Sequence, residues 1–207
     1  MTNPESNSAV KIGVLAIQGN FAAHAAALEA VGAAAIEVRK PEELKNLDGL
    51  IIPGGESTTI LKFLEHGDFF TQLEQFVQTK PTFGTCAGCI LLAKHVEKPA
   101  QQSLGVLDIT VERNAYGRQN DSVILHEPTS LPGGPLEMVF IRAPRIASAA
   151  PNVEVLARRG GDPALVRQGH LMAATFHPEM SGDARVHQMF VVLVRAHKAS
   201  DNRSATK

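Results

Sequence analysis

Two hydrophobic periodicities alternate along this chain, and the points where one gives way to the other lay out its elements. Residues 10–17 (VKIGVLAI) form a nearly continuous apolar run rich in branched side chains. Gln18-Gly19 and an alanine-rich stretch follow, with Phe21, Ala25, Leu28 and Val31 at helical spacing. The pattern predicts strand, turn and helix, with Gly32 as the stop. AAIEVRK (34–40) and DGLII (48–52) read as further strands, and residues 58–78 as a helix in two pieces broken near Gly67. Phe69, Phe70, Leu73, Phe76 and Val77 share one face of its second piece. After Pro81 a short strand runs into Gly84-Thr85-Cys86, and AGCILLAKHV (87–96) reads as a helix.

Strands that are apolar on both faces and alternate with helices imply a parallel sheet covered on both sides. From Leu104 onward the punctuation changes. LGVLDITVER, MVFIRAP, VEVLARR and ALVRQGHLMAATF are separated by turn signals at Pro132-Gly133-Gly134, Gly160-Gly161-Asp162 and Gln168-Gly169, which predict antiparallel hairpins. Residues 183–197 read as a closing helix, and SDNRSATK (200–207) as a frayed tail. The expected fold is α/β: three layers, a mostly parallel central sheet flanked by helices, and antiparallel hairpins in the second half. One domain is expected over residues 10–198, with a disordered extension at 1–9 and a tail at 199–207.

The composition narrows the function classes. The chain has 207 residues, 44% of them apolar, and 20 Lys+Arg balance 21 Asp+Glu for a net charge of -1. With no basic patch or charge block, neither nucleic acid nor an anionic membrane is an expected partner. The polar start MTNPESNSAV has no apolar leader core, and runs such as FVVLV are too short to span a bilayer, so a cytoplasmic protein is expected. Only two cysteines occur, Cys86 and Cys89, and in that compartment they do not form a disulfide framework.

Cys86 sits in Gly84-Thr85-Cys86-Ala87-Gly88, the spacing of a nucleophile elbow, between an apolar strand and a predicted helix. That context would place its sulfur at a helix N-terminus, where unpaired N–H groups favour the thiolate. Cys86-Ala87-Gly88-Cys89 also fits a C-x-x-C redox pair, a rival reading, although Ile90, Leu91 and Leu92 after Cys89 point to core packing for that thiol. A zinc site would need two further ligands, and none stands at suitable spacing, so no metal is expected.

Late in the chain, LMAATFHPEM sets His177 and Glu179 two residues apart after an apolar strand. In an extended segment such residues share a face, so the carboxylate can orient the imidazole as the third member of a triad does. Pro178 stiffens the pair. His24, His66, His95, His187 and His197 fall on predicted helices among charged residues and are expected to be solvated; His126 and His170 lie near turns. Pro53-Gly54-Gly55-Glu56-Ser57-Thr58 follows a buried strand and precedes a helix. It can offer backbone N–H groups to an oxyanion, or serve as a tight turn with Ser57 or Thr58 as N-cap. It lacks the Lys and the spacing of a phosphate loop.

Together, the Gly-x-Cys-x-Gly elbow, the Pro-Gly-Gly-Glu loop and the late His-Pro-Glu resemble the triad glutamine amidotransferases. More narrowly, PGGEST (53–58), GTCAG (84–88), VERNAYGRQ (111–119), FIRAP (140–144) and FHPE (176–179) resemble the glutaminase subunits of pyridoxal 5'-phosphate synthase, over about Lys11 to Val194. The resemblance implies a flavodoxin-like, class I glutaminase fold and hydrolysis of L-glutamine to glutamate and ammonia. It assigns Cys86 as nucleophile, His177 as base and acid, and Glu179 as orienter. It places glutamine against Gly55, Glu56, Ser57, Arg113, Ile141 and Arg142, with backbone N–H groups at Gly55 and Cys86 for the oxyanion. It implies a separate synthase (lyase) subunit in a large hetero-oligomer as partner, and no cofactor on this chain, pyridoxal 5'-phosphate being the product of the complex. The length of the chain agrees with an acceptor domain on another polypeptide. A position often Gln in other amidotransferase branches is Ile90 here, and Cys89 stands where an aliphatic residue is more usual. A non-catalytic scaffold subunit of the same complex is the remaining alternative.

Overall fold

The computed structural model describes residues 9–113, 115 and 122–205. The extension expected at 1–9 and most of the VERNAYGRQ motif beyond Arg113 lie outside the described residues, apart from Ala9 and Ala115. The chain runs β1 (Lys11–Leu15), α1 (Phe21–Ala30), β2 (Ala34–Val38), β3 (Gly49–Ile52), α2 (Ser57–Leu64), α3 (Phe69–Thr79), β4 (Thr82–Thr85) and α4 (Ala87–Leu92). It continues through β5 (Ala93–Glu97), β6 (Leu107–Glu112), β7 (Val123–Glu127), β8 (Leu136–Phe140), β9 (Arg145–Ala149), β10 (Glu154–Arg159), β11 (Asp162–Gln168), β12 (Leu171–Ala174) and α5 (Arg185–Ala205).

A seven-stranded sheet in the order β10-β11-β12-β4-β3-β1-β2 forms the middle layer. β12, β4, β3, β1 and β2 are parallel to one another, and β11 and β10 add an antiparallel edge. Its strands alternate between two cores. Leu15, Leu50, Ile52, Leu171 and Ala173 face one cluster with α2, α3 and α4, while Ile12, Val14, Ile51, Phe83, Met172 and Ala174 face the other with α1 and α5. Burial on both faces is what makes these strands apolar runs with no polar side. The three layers follow from that pattern.

The second half is antiparallel where hairpins were expected, with β10-β11-β12 and β7-β8 as examples. β5 departs from the expectation. The helix from Ala87 stops at Leu92 and residues 93–97 form a strand parallel to β6. All six residues of α4 are buried, so its apolar run carries no amphipathic period to distinguish helix from strand, and pairing with β6 decides the outcome. At the other end, α5 extends through Ala205, past the point where fraying was expected. It is tied down by Lys80 Nζ to Asp201 at 2.8 Å and Lys198 Nζ to Asp48 at 2.9 Å.

Chain order in the sheet steps from β1 outward to β2, then returns to β3 on the other side of β1. That reversal opens a crevice at the carboxyl ends of β1 and β3, the position where open α/β sheets bind ligands. β4 ends beside it.

Candidate active site

The nucleophile turn is built as its spacing demands. Cys86 joins β4 to α4 with φ 48° and ψ -102°, a strained conformation for a residue with a Cβ. The flanking glycines permit it: a Cβ on Gly84 would lie 2.4 Å from Gly88 O, and one on Gly88 would lie 2.0 Å from Ile52 O. The strain aims the Cys86 side chain into a polar cavity of about 370 Å³, which is large enough for an amino acid.

His177 follows β12 and also faces this cavity. Its Nδ1 lies 2.7 Å from Glu179 Oε1, and its ring faces the same cavity as the Cys86 side chain and interacts with it electrostatically. Residues 178–180 form a 3-10 turn rather than the extended segment expected. The turn, not a shared strand face, folds the carboxylate back onto the imidazole. Burial works against a charged His177, but the hydrogen bonds and charges of Cys86 and Glu179 outweigh it and raise its pKa to about 10. Burial likewise opposes a charged Glu179, whose side chain is fully enclosed. The hydrogen bond from His177 and the neighbouring histidines prevail and hold its pKa below the ordinary value.

The other predicted residues converge on the same cavity. Gly55, Glu56, Ser57, Arg113, Ile141 and Arg142 all line it. Arg113 is mostly enclosed; its terminal NH2 lies 3.4 Å from Glu56 Oε1, and its buried Nε has no hydrogen-bond partner among the described residues. Arg142 is held at φ 44°. Ser57 is the first residue of α2, with Glu56 at the cap position, and its hydroxyl donates to Gln101 Oε1 at 2.8 Å. Neither it nor Thr58 acts as the N-cap, because the loop reaches the helix one residue earlier.

The oxyanion assignment needs a correction. The Cys86 N–H donates to Ala174 O at 2.8 Å, continuing the parallel ladder of β4 and β12, so it is spent. Ala87, the next residue, opens α4, where the first N–H groups have no acceptor within the helix.

Sequence reasoning missed Gln18, which lines the cavity from the end of β1 and accepts the Glu56 N–H at 3.1 Å through its Oε1. The signal was present in Gln18-Gly19 at the close of the first strand, beside the reversal in strand order. It also misplaced two histidines. His24 and His187 are fully buried rather than solvated. His24 Nδ1 lies 3.0 Å from His187 Nε2, and His24 Nε2 lies 3.1 Å from Thr85 Oγ1 and 3.3 Å from Glu179 Oε2. Burial pushes the pKa of His24 down to about 3 and that of His187 down to about 4. His66 and His95 are exposed, the latter on β5.

Cys89 is fully buried one turn into α4, and burial pushes its thiol well above the ordinary range. Such a thiol cannot readily attack a disulfide. Among the described residues, no three His, Cys, Asp or Glu side chains are grouped to hold a metal ion, and no helix is long and apolar enough to cross a membrane.

The chain is similar to known proteins over most of its length. Residues 14–196 match the model of the SNO glutamine amidotransferase family. The pyridoxal 5'-phosphate synthase subunit PdxT of Koribacter versatilis is 62% identical over 90% of this chain and 96% of its own length. The protein of the same name from Thermotoga sp. is 48% identical, over 90% of this chain and all of its own length. A crystal structure of a glutamine amidotransferase superposes with a TM-score of 0.82 at 46% identity, covering 88% of this chain and 98% of that one.

Proposed function

Because this chain belongs to the SNO glutamine amidotransferase family, we propose that it hydrolyses L-glutamine to L-glutamate and ammonia through a thioester on Cys86 and passes the ammonia to a separate pyridoxal 5'-phosphate synthase subunit. One observation carries the reading: Cys86 and His177 line one polar cavity of amino-acid size, and His177 is hydrogen-bonded to the enclosed Glu179.

In this reaction the Cys86 sulfur attacks the side-chain amide carbon, and the carbonyl electron pair moves onto oxygen. The Ala87 and Gly55 N–H groups serve as donors to that oxygen, a contribution of roughly 10²–10³ in rate per donor. Collapse breaks the C–N bond as His177, which holds its proton strongly, gives it to the departing nitrogen. Ammonia leaves. His177 then takes a proton from water, hydroxide attacks the thioester carbon, and the C–S bond breaks to give glutamate and the thiolate. Glu179 keeps the imidazole in the productive tautomer throughout. Arg113, enclosed at the cavity and with its Nε unpaired among the described residues, is the group we assign to the substrate α-carboxylate, and Glu56 beside it to the α-ammonium.

The steps use only this chain's side chains and backbone, so pyridoxal 5'-phosphate enters as product of the complex and not as cofactor. Ammonia in water at neutral pH is protonated and loses its nucleophilicity, which favours a docked acceptor within a larger hetero-oligomer. Relatives named as subunits of pyridoxal 5'-phosphate synthase support that partner. A reactive cysteine that must stay reduced suits the cytoplasm. The C-x-x-C redox alternative is disfavoured by the burial of Cys89, and the scaffold alternative by the assembled triad. The test is glutamate release by the chain mixed with synthase subunit: activity in the wild type that is lost in Cys86→Ala supports the reading. An active Cys86→Ala protein, or an electrophilic glutamine analogue that leaves Cys86 unlabelled, overturns it.

A further inference from the structure

The proposed reaction uses one oxygen of Glu179; the other meets a second, enclosed set of groups to which the triad assigns no role. Glu179 Oε2 is buried and makes no well-aligned hydrogen bond, but His24 Nε2 lies 3.3 Å away. The same Nε2 lies 3.1 Å from Thr85 Oγ1, on the residue that immediately precedes the nucleophile. His24 comes from α1, Thr85 from the end of β4, Glu179 from the 3-10 turn and His187 from α5. One imidazole therefore bridges the nucleophile turn and the acid arm of the triad.

The chemistry of these partners fixes the protons. A carboxylate only accepts, so a bare Nε2 lone pair facing Glu179 would be repelled, and Nε2 of His24 must carry hydrogen. In the neutral ring that burial favours, Nδ1 of His24 is then an acceptor, and the hydrogen across the 3.0 Å contact belongs to His187 Nε2. That leaves His187 Nδ1 bare, and it is buried without a partner among the described residues. Every atom of the series is consistent with two neutral histidines. Burial, which lowers the pKa of both, supports this assignment.

We propose that His24 is a positioning residue for the triad, a neutral imidazole whose Nε2–H is hydrogen-bonded to Thr85 and stands 3.3 Å from the Glu179 carboxylate, and whose ring is seated by His187. Neutrality is the functional point: a cation at this position would compete with His177 for the carboxylate, whereas a neutral donor orients Glu179 and leaves its charge to His177. The groups that face the ring are Thr85, Glu179 and His187, with His177 beyond the carboxylate.

The inference rests on the glutaminase reading, so its test includes an arm that does not. Nitrogen-15 spectra of histidine-labelled wild-type protein are expected to show His24 as the neutral Nε2–H tautomer between about pH 5 and pH 9. A cationic ring or an Nδ1–H tautomer there overturns the proposal. In glutamate release with the synthase subunit, His24→Leu is expected to lower kcat by about 10- to 100-fold with KM within about twofold. Its acid limb should move to higher pH, because the carboxylate loses the polar Nε2–H that stands 3.3 Å from it. His24→Gln, which keeps a neutral donor, is expected to recover most of kcat. Wild-type kcat in His24→Leu, or equal losses in both variants with an unmoved acid limb, overturns the positioning role. Inactive wild-type protein would instead sink the glutaminase reading, and the spectra would still decide the proton assignment should His24→Leu fail to fold.

Discussion

Gly54 and His177 are packed so closely that a Cβ on the glycine would lie 2.5 Å from Cε1 of the imidazole and 3.2 Å from its Nδ1; the same Cβ would stand 3.3 Å from Cys86 Cβ. The loop after β3 thus forms one wall of the triad, and its missing side chain is the space that the imidazole occupies. Gly54→Ala must push His177 aside, breaking its 2.7 Å alignment with Glu179. The expected result is a loss of about 100-fold in kcat with the fold retained, measured as glutamate release beside a thermal melt. An alanine variant with wild-type turnover would show that the loop yields and the wall is soft.

Arg113 provides a test of substrate binding separate from chemistry. If its enclosed guanidinium takes the α-carboxylate, Arg113→Ala removes a charge-assisted contact made equally in ground and transition states. KM for glutamine should then rise by about 10- to 100-fold with kcat changed far less. Lysine should rescue poorly, because a point charge cannot reproduce the planar fork. If steady-state kinetics instead show a normal KM in Arg113→Ala and a raised one in Arg142→Ala, the carboxylate belongs to Arg142, the strained residue that also lines the cavity.

The elbow was legible in the sequence because its constraints are local: the approach of Gly84 to Gly88 and of Gly88 to the β3 backbone leaves room for no side chain at either position. The His177–Glu179 pair was legible by adjacency, yet for the wrong geometric reason, since a 3-10 turn and not a strand face joins them. What could not be read depended on elements distant in the chain. His24 and His187 look solvated until α1 and α5 come together across 163 positions. The Cys86 N–H looks available until β12 lies beside β4 and takes it. The strand at 93–97 exists only because β6 is there to pair with it.

The buried histidines set the acid side of stability. In the unfolded chain His24 and His187 titrate near 6.5, whereas in the folded protein they resist protonation down to about 3 and about 4. Below pH 6.5 the unfolded state therefore binds more protons, so their contribution is present above that pH and lost as pH falls, by roughly 1.4 kcal/mol per pH unit for each ring. His177 acts in the opposite sense. Its folded pKa of about 10 gives a contribution present below 6.5 that is lost as pH rises towards 10. Denaturant titrations are expected to show a maximum near pH 6.5, and His187→Gln should flatten the acid slope by about half over the range from pH 6.5 to about 4. An acid slope unchanged by that substitution would mean that the rings are charged in the native state.

The two cysteines separate by environment, and their variants should separate accordingly. Cys86 faces the cavity beside His177, whereas Cys89 is fully buried, with its thiol held in the neutral form. Cys86→Ala should abolish glutamate release and, because Cys86 helps to raise the pKa of His177, remove part of the stability which that ring contributes below pH 10. Cys89→Ala empties a small buried volume, so it should lower stability by about 1 kcal/mol while kcat stays within about threefold of wild type. A disulfide-exchange mechanism requires both thiols and predicts loss in both variants. Parallel measurements of glutamate release, disulfide reduction and melting on the two proteins decide the matter: activity lost in Cys86→Ala alone fits an amide-cleaving nucleophile, and activity lost equally in Cys89→Ala with an intact melt would require the second sulfur to take part.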